Sequence, residues 1–151
     1  MPKTVLIVDD DRGIVDFLSN VLKHEGYVVE AAYDGAQGWD KLRFSPPDLL
    51  ILDLMMPRMN GLTMFKKMKK EESLRDVPVI MLTAIDNVIE EDKPKDRDWT
   101  IGEIKDPFHE KLEKILGSLK AQGETSPEVF LEKPVNREQV MEAIEKALGI
   151  P

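Results

Sequence analysis

The chain has 151 residues, 42% of them hydrophobic and 33% charged, and a formal net charge of -8. This length and apolar content suit a single domain with one core. The absence of cysteine excludes disulfides, thiolate metal sites and cysteine nucleophiles. No stretch approaches the roughly 18 apolar residues of a membrane span, and no signal peptide is evident, so we expect a cytoplasmic protein without membrane attachment. The negative charge disfavours direct binding to nucleic acid and favours divalent cations.

Strands and helices are predicted to alternate along most of the chain. Apolar runs predict strands at 4–8, 27–32, 49–52, 78–82 and 128–131. Helices are predicted around 14–22, at 35–44 and 62–70, and after a capping residue at Asn136. Such alternation predicts an α/β fold with a mainly parallel, doubly wound sheet.

Two details of the first helices bear on packing. The second predicted helix is weakened by Gly38, because glycine is a poor helix former. The first predicted helix has apolar residues at helical spacing, which we expect to face the core together. They are Ile14, Phe17, Leu18, Val21 and Leu22.

Residues 85–127 interrupt the alternation, since a single crossover helix requires far fewer residues. The first part, 86–98, is rich in charged residues and is predicted to be an exposed loop. Asp106 and Pro107 then begin a predicted helix, whose apolar stripe runs from Phe108 to Leu119. This helix needs a surface against which to bury its stripe.

The carboxyl ends of the predicted strands carry the residues that suggest chemistry. They are Asp9 and Asp10, Asp53, Thr83 and Lys133. In an open parallel sheet these ends border one crevice, where ligands bind. Two carboxylates about 4 Å apart repel by roughly 4 kcal/mol at an effective dielectric near 20, so the cluster needs a cation or a proton. Mg²⁺ prefers oxygen ligands, and an aspartate beside it is able to attack phosphorus.

Together these motifs resemble the response regulator receiver domain of two-component signalling. They are Val8-Asp9-Asp10, Asp53 with Pro57 and Gly61 behind it, Thr83-Ala84, and Phe130-Leu131-Glu132-Lys133-Pro134. The resemblance implies a flavodoxin-like, doubly wound, five-stranded parallel sheet in the order 2-1-3-4-5, with helices on both faces. It implies one receiver domain over 1–151, in which 85–127 enlarge the connection between the fourth and fifth strands and add an extra helix.

The resemblance also implies roles for the site residues. Asp53 would be the phosphoacceptor, and Lys133 would contact the phosphoryl group. The Mg²⁺ cofactor would be held by Asp53, by Asp10, by Asp9 through water, and by the backbone carbonyl of Met55.

Phosphorylation would change the surface of the domain and would not release a product. Thr83 would move toward the new phosphoryl oxygens and Phe130 would move inward behind it. The phosphoryl donor would be a histidine kinase or a phosphotransfer protein, and the downstream partner would be a protein, with a homodimer left open. The chain would then be a regulatory domain and not an enzyme, either standing alone or as part of a longer protein.

Two features depart from the family pattern. Ser126-Pro127 stands where the family has Gly-Ala, in a segment that is longer than usual. We hypothesise that the helix at 108–119 replaces or covers the face that family members use for partners. Apolar Met55 and Ile85 occupy positions that influence water access in the family, so we predict slow hydrolysis of the acyl phosphate.

Two other functions remain open at this point. A haloacid-dehalogenase-like phosphatase also uses a strand-end aspartate, Mg²⁺ and a lysine, and Asp9-x-Asp11 superficially fits its motif. Gly13 stands where that family has Thr or Val, however, and Asp53 would go unexplained. The other alternative is a receiver-shaped adaptor that is never phosphorylated and acts through its surface alone.

Overall fold

The computed structural model describes residues 2–54, 56, 59–84 and 127–150. The strands are β1 (Thr4–Val8), β2 (Val28–Ala32), β3 (Leu49–Asp53), β4 (Val79–Ala84) and β5 (Val129–Lys133). The helices are α1 (Arg12–His24), α2 (Gly35–Phe44), α3 (Gly61–Lys69) and α4 (Arg137–Leu148). The sheet is parallel, with strand order β2-β1-β3-β4-β5. The predicted fold and strand order are confirmed, and the helix predicted within 85–127 lies outside the described residues.

The main core lies between one face of the sheet and helices α1 and α4. Side chains of β1, β3 and β4 form the floor of this core, and apolar side chains of the two helices cover it. Its central members are Val5, Ile7, Leu49, Ile51, Ile80, Leu82, Val15, Leu18, Leu22, Val140 and Ile144. The strand members alternate in sequence, as expected when one face of a strand is buried against a given layer.

Helix α2 approaches the other face of β1 closely. A Cβ atom at Gly38 would lie 2.6 Å from Val8 Cγ1, a distance that real side chains do not tolerate. Val8 is out of phase with Val5 and Ile7 along the strand, so α2 covers the face opposite the main core. Gly38 therefore weakens α2 in isolation but permits its contact with the sheet.

Side-chain caps begin the helices. Asp11 accepts hydrogen bonds from the amides of Gly13 and Ile14 at the start of α1. Asn136 and Gln139 form a reciprocal capping box at the start of α4, which confirms the predicted cap. Each cap satisfies amides that have no partner within the helix.

The prediction that Phe17 faces the core is wrong. Its side chain is 37% exposed, whereas Val15 is buried in its stead. At about 100° per residue, Phe17 lies at one flank of the apolar arc of α1, whereas Val15 and Leu22 lie toward the opposite flank and, with Leu18, are buried in the core.

Strands β3 and β5 differ in how far their residues are buried. All five residues of the central β3 are buried. In β5, at the edge, four residues are half-buried and one is exposed. Among the helices of the described residues, none has the length and apolar character of a membrane span.

Candidate functional site

Three carboxylates meet where β1 and β3 end. Asp9 follows β1 directly and Asp53 is the last residue of β3; both are buried, whereas the neighbouring Asp10 is exposed. One carboxylate oxygen from each residue lies within 4.8 Å of the other two. The predicted convergence of these acids at one edge of the sheet is therefore observed.

The turn from β1 into α1 holds Asp9 in position. The Asp9 amide donates to the Ala32 carbonyl at 3.1 Å, which extends the pairing between β1 and β2 past the end of the strand. Its Oδ1 accepts a hydrogen bond from the Asp11 amide at 2.9 Å, and Asp11 in turn caps α1. The acidic turn thus links the strand, the site and the helix through short-range hydrogen bonds.

Lys133, the last residue of β5, joins the acids from a third strand. Its Nζ lies 2.8 Å from Asp9 Oδ2 and 3.7 Å from Asp53 Oδ2. The lysine side chain is 14% exposed, so these contacts are shielded from most of the solvent. The structure therefore brings Lys133 to the two buried carboxylates, as the sequence predicts.

The buried charges shift one another's pKa. Burial raises the pKa of Asp9, and this effect exceeds the opposing influence of the hydrogen bonds from Lys133 and the Asp11 amide. For Lys133, burial acts to lower the pKa, but the hydrogen bond with Asp9 and the charge of Asp53 outweigh it and raise the pKa above the ordinary value. The ammonium group consequently stays charged at neutral pH.

Backbone contacts surround the end of β3. The Leu54 amide donates to the Leu82 carbonyl at 2.8 Å, and the Gly61 amide donates to the Leu54 carbonyl at 3.0 Å. A Cβ atom at Gly61 would lie 2.2 Å from the Asp53 carbonyl oxygen, so only glycine lets α3 begin this close to the strand. Met55, Pro57 and Arg58 lie outside the described residues.

The two predicted switch residues lie on neighbouring strands. Thr83 is fully buried on β4, and its Oγ1 donates to the Leu131 carbonyl of β5 at 3.2 Å. Phe130 is half-buried on β5. Ile85, predicted to influence water access, lies outside the described residues.

The donor set fits a divalent cation. Asp9, Asp10 and Asp53 offer three carboxylate oxygens, the ligand type preferred by Mg²⁺. Lys133 brings one positive charge to three negative ones, so a cation of charge +2 would balance the cluster. Asp10, being exposed, leaves the cluster open on one side.

Three contacts around the site were not anticipated from the sequence. They are the hydrogen bond that the Asp11 amide donates to Asp9, the hydrogen bond that Thr83 Oγ1 donates to the Leu131 carbonyl, and the close approach of Gly61 to Asp53. The sequence does signal the neighbouring cap of α1 by the Asp11 side chain, because an aspartate directly before a helical pattern is a typical cap, but it does not signal the bond from the Asp11 amide. The other two depend on backbone atoms from distant segments and leave no such signal.

An open parallel α/β sheet with buried acids and a lysine at its carboxyl edge is the arrangement that the resemblance to receiver domains implies. A family model, the response regulator receiver domain, matches residues 5–94. The chain belongs to this response regulator receiver family.

Curated relatives support the same assignment. The chain is 41% identical over 88 residues to RpaA of Synechocystis sp., described as a DNA-binding dual master transcriptional regulator; this covers 58% of the chain and 36% of RpaA. It is 40% identical over 90 residues to the response regulator MprA of Mycobacterium sp. strain KMS, covering 60% of the chain and 38% of MprA. The matches thus span little more than a third of either relative. The expectation that this chain avoids nucleic acid stays a prediction.

Solved structures extend the likeness to β5 and α4. A CheY-like receiver domain protein from Methanospirillum hungatei is 28% identical, with a TM-score of 0.71 over 99% of this chain and 95% of that one. The chemotaxis protein CheY4 of Vibrio cholerae is 27% identical, with a TM-score of 0.70 over 98% of this chain and 100% of that one. The flavodoxin-like architecture therefore holds beyond the residues that the family model matches.

Proposed function

We propose that this chain is a phosphorylation-dependent signalling switch and that Asp53 is its phosphoacceptor. The proposal rests on the position of Lys133, whose Nζ lies 2.8 Å from Asp9 Oδ2 and 3.7 Å from Asp53 Oδ2. This lysine and the three clustered carboxylates supply the nucleophile, the cation ligands and the fixed positive charge that phosphoryl transfer needs.

The reaction on Asp53 is a direct displacement. An Asp53 carboxylate oxygen forms a bond to phosphorus, while the bond from phosphorus to the donor's histidine nitrogen breaks. The electron pair of that bond stays with the imidazole, which leaves and takes up a proton. Lys133 is held beside Asp53 and is able to stabilise charge on the transferring phosphoryl oxygens.

The acid cluster would hold the cofactor Mg²⁺. Asp10 and Asp53 would bind it directly and Asp9 through water, while the predicted backbone ligand at Met55 lies outside the described residues. When bound, the ion supplies positive charge to the phosphoryl oxygens in a site where burial strengthens electrostatics. The Asp11 amide keeps Asp9 oriented toward this site.

Thr83 and Phe130 would convert the new charge into a change of surface. The Thr83 hydroxyl donates to the Leu131 carbonyl, and phosphoryl oxygens on Asp53 would compete for that proton. A phosphoryl group adds roughly -2 charge at neutral pH, which would favour the conformation with Thr83 turned toward it. Loss of the bond to Leu131 would then release β5, including Phe130, to repack within a pre-existing equilibrium.

The partners follow from this role. A histidine kinase or phosphotransfer protein would donate the phosphoryl group in the cytoplasm, and a downstream protein or a second copy would recognise the altered surface. The domain is regulatory, with no substrate turned over. Residues 85–127, within one receiver domain, would enlarge the connection between β4 and β5; the helix at 108–119 and its covering of the partner face lie outside the described residues.

Acetyl phosphate with Mg²⁺ provides the test. Intact-mass measurement is expected to find one added phosphoryl group on the wild type and none on Asp53→Asn, because the amide is a poor nucleophile. Asp76→Asn, an exposed aspartate in the turn before β4, serves as the matched control and should be labelled like the wild type.

Two other results would contradict the proposal. A wild-type protein that takes up no phosphoryl group and binds no Mg²⁺ would favour the unphosphorylated adaptor. Steady release of phosphate from a phosphomonoester, dependent on Asp9 and not on Asp53, would favour the phosphatase.

A further inference from the structure

The two constraints that usually fix the register of a strand are weak for β5. Residues 85–128 separate it from β4, so no short connection fixes the pairing. None of its residues is fully buried, and Val129 and Leu131 pack only partly against the main core, so burial of one face specifies the pairing weakly. Yet β5 ends in Lys133, whose position at Asp9 and Asp53 must be accurate.

Glu128 makes two hydrogen bonds to one residue of β4 just before β5 begins. Its amide donates to the Val79 carbonyl at 3.0 Å. Its carboxylate Oε2 accepts from the Val79 amide at 2.5 Å; the bond is partly buried, although Glu128 as a whole is exposed. In a parallel ladder a backbone carbonyl would accept from that amide, so the carboxylate substitutes for a backbone group.

The carboxyl-terminal half of β5 depends on the register that this contact sets. Along the strand from Glu128, the Leu131 carbonyl accepts from Thr83, and Lys133 reaches Asp9. Successive side chains of a strand point to opposite faces, so a slip by one residue would turn Lys133 away from the acids.

We infer that Glu128 is a positioning residue, which fixes the register of β5 through Val79 and thereby places Lys133 against the carboxylates. The inference rests on the proposed function only where phosphorylation is used as the readout. Its structural consequence, the pairing of β5 with β4, is measurable without any phosphoryl donor.

The experiment compares three substitutions of Glu128 in the full chain. Glu128→Ala removes the acceptor, Glu128→Asp keeps the charge but is one methylene shorter, and Glu128→Gln keeps both length and an acceptor oxygen. Glu142→Ala, an exposed glutamate of α4, removes the same charge elsewhere and serves as the control. The readouts are the initial rate of labelling by acetyl phosphate, the Mg²⁺ dissociation constant, and nuclear Overhauser contacts between Thr83 and Leu131.

Glu128→Ala and Glu128→Asp are expected to lower the labelling rate by about tenfold or more and to weaken the contacts between Thr83 and Leu131. Glu128→Gln should stay within about threefold of the wild type, because a neutral acceptor retains part of the bond. Mg²⁺ binding should not weaken in any variant, since the proposed side-chain ligands directly follow β1 or end β3 and none belongs to β5. If the substitutions acted only through a general loss of stability, Glu128→Gln would not keep its labelling rate while Glu128→Asp loses it.

Labelling and β4–β5 contacts like those of the wild type in Glu128→Ala would overturn the inference, as would a Glu128→Gln variant as impaired as Glu128→Asp. If Glu128→Ala does not fold, the comparison of the Asp and Gln variants decides. If the wild type itself is not labelled, the proposed function fails, and the contacts between Thr83 and Leu131 still decide the role of Glu128.

Discussion

Strands β3 and β5 each deliver one essential charge to the same site, but they are held in different ways. Asp53 ends a central strand whose five residues are all buried between β1 and β4. Lys133 ends an edge strand with no fully buried residue. The position of β3 is thus determined by hydrophobic burial. In β5 only Val129 and Leu131 pack, partly buried, against the main core, so polar contacts of Glu128, Thr83 and Lys133 carry a larger share.

This difference suits a switch. A strand held by apolar packing resists displacement, because leaving its place would expose a large apolar area. A strand held by a few hydrogen bonds is more easily shifted by a new charge that competes for them. We therefore expect the acids to stay fixed and β5 to be the element that responds.

The largest effect is expected when one apolar residue on each strand is truncated, which compares how β3 and β5 are anchored. Ile51→Ala on β3 removes a side chain that is 1% exposed and should lower the free energy of unfolding by about 3 kcal/mol. Leu131→Ala on β5 removes a half-buried side chain and should cost about 1 kcal/mol. Urea denaturation measures both, and equal losses would show that β5 is anchored by packing after all.

A smaller effect is expected where α3 begins beside β3. Gly61→Ala would bring a Cβ atom to 2.2 Å from the Asp53 carbonyl oxygen, and a backbone atom cannot swing aside. The gain in helix propensity of about 1 kcal/mol is outweighed, so we expect a net loss of about 2 kcal/mol and slower labelling of Asp53. Gly13→Ala, whose nearest contact would be 3.2 Å from a side-chain oxygen, should be nearly neutral in thermal unfolding. A Gly61→Ala protein as stable as the wild type would mean that the end of β3 yields easily.

The smallest expected effect separates the two strands' contributions to chemistry. Lys133→Ala should slow labelling by acetyl phosphate about tenfold, equivalent to about 1.4 kcal/mol in the barrier. Mg²⁺ should bind this variant at least as tightly as the wild type, because removing an ammonium group beside Asp9 removes repulsion of the ion. Calorimetry of Mg²⁺ binding checks this, and a weakened affinity would mean that Lys133 organises the acids as well as the phosphoryl group.

Much of the fold was predictable because local signals agreed with one another. All five strands begin and end within two residues of their predicted limits, because each run of mainly apolar residues is bounded by acids, glycine or proline. The cap at Asn136 was equally readable from the spacing to Gln139. The meeting of Asp9, Asp10, Asp53 and Lys133 followed from topology, since parallel strands direct their carboxyl ends to one edge.

Other features depended on atoms that the sequence does not bring together. Contact with the core decides which part of the apolar arc of α1 is buried, so Phe17 is partly exposed and Val15 is not. Gly38 looked like a weakness of α2 until its approach to Val8 was known. The two bonds between Glu128 and Val79 join segments 49 residues apart, a pairing with no local pattern.

Residue type and short-range spacing were enough to predict the alternation of strands and helices, the acids and lysine at the strand ends, and the membership of the family. The tertiary structure alone decided the distances within the site, the direction of the pKa shifts of Asp9 and Lys133, and the means by which β5 is held. These quantities depend on burial and on contacts between distant segments, which exist only once the sheet has formed.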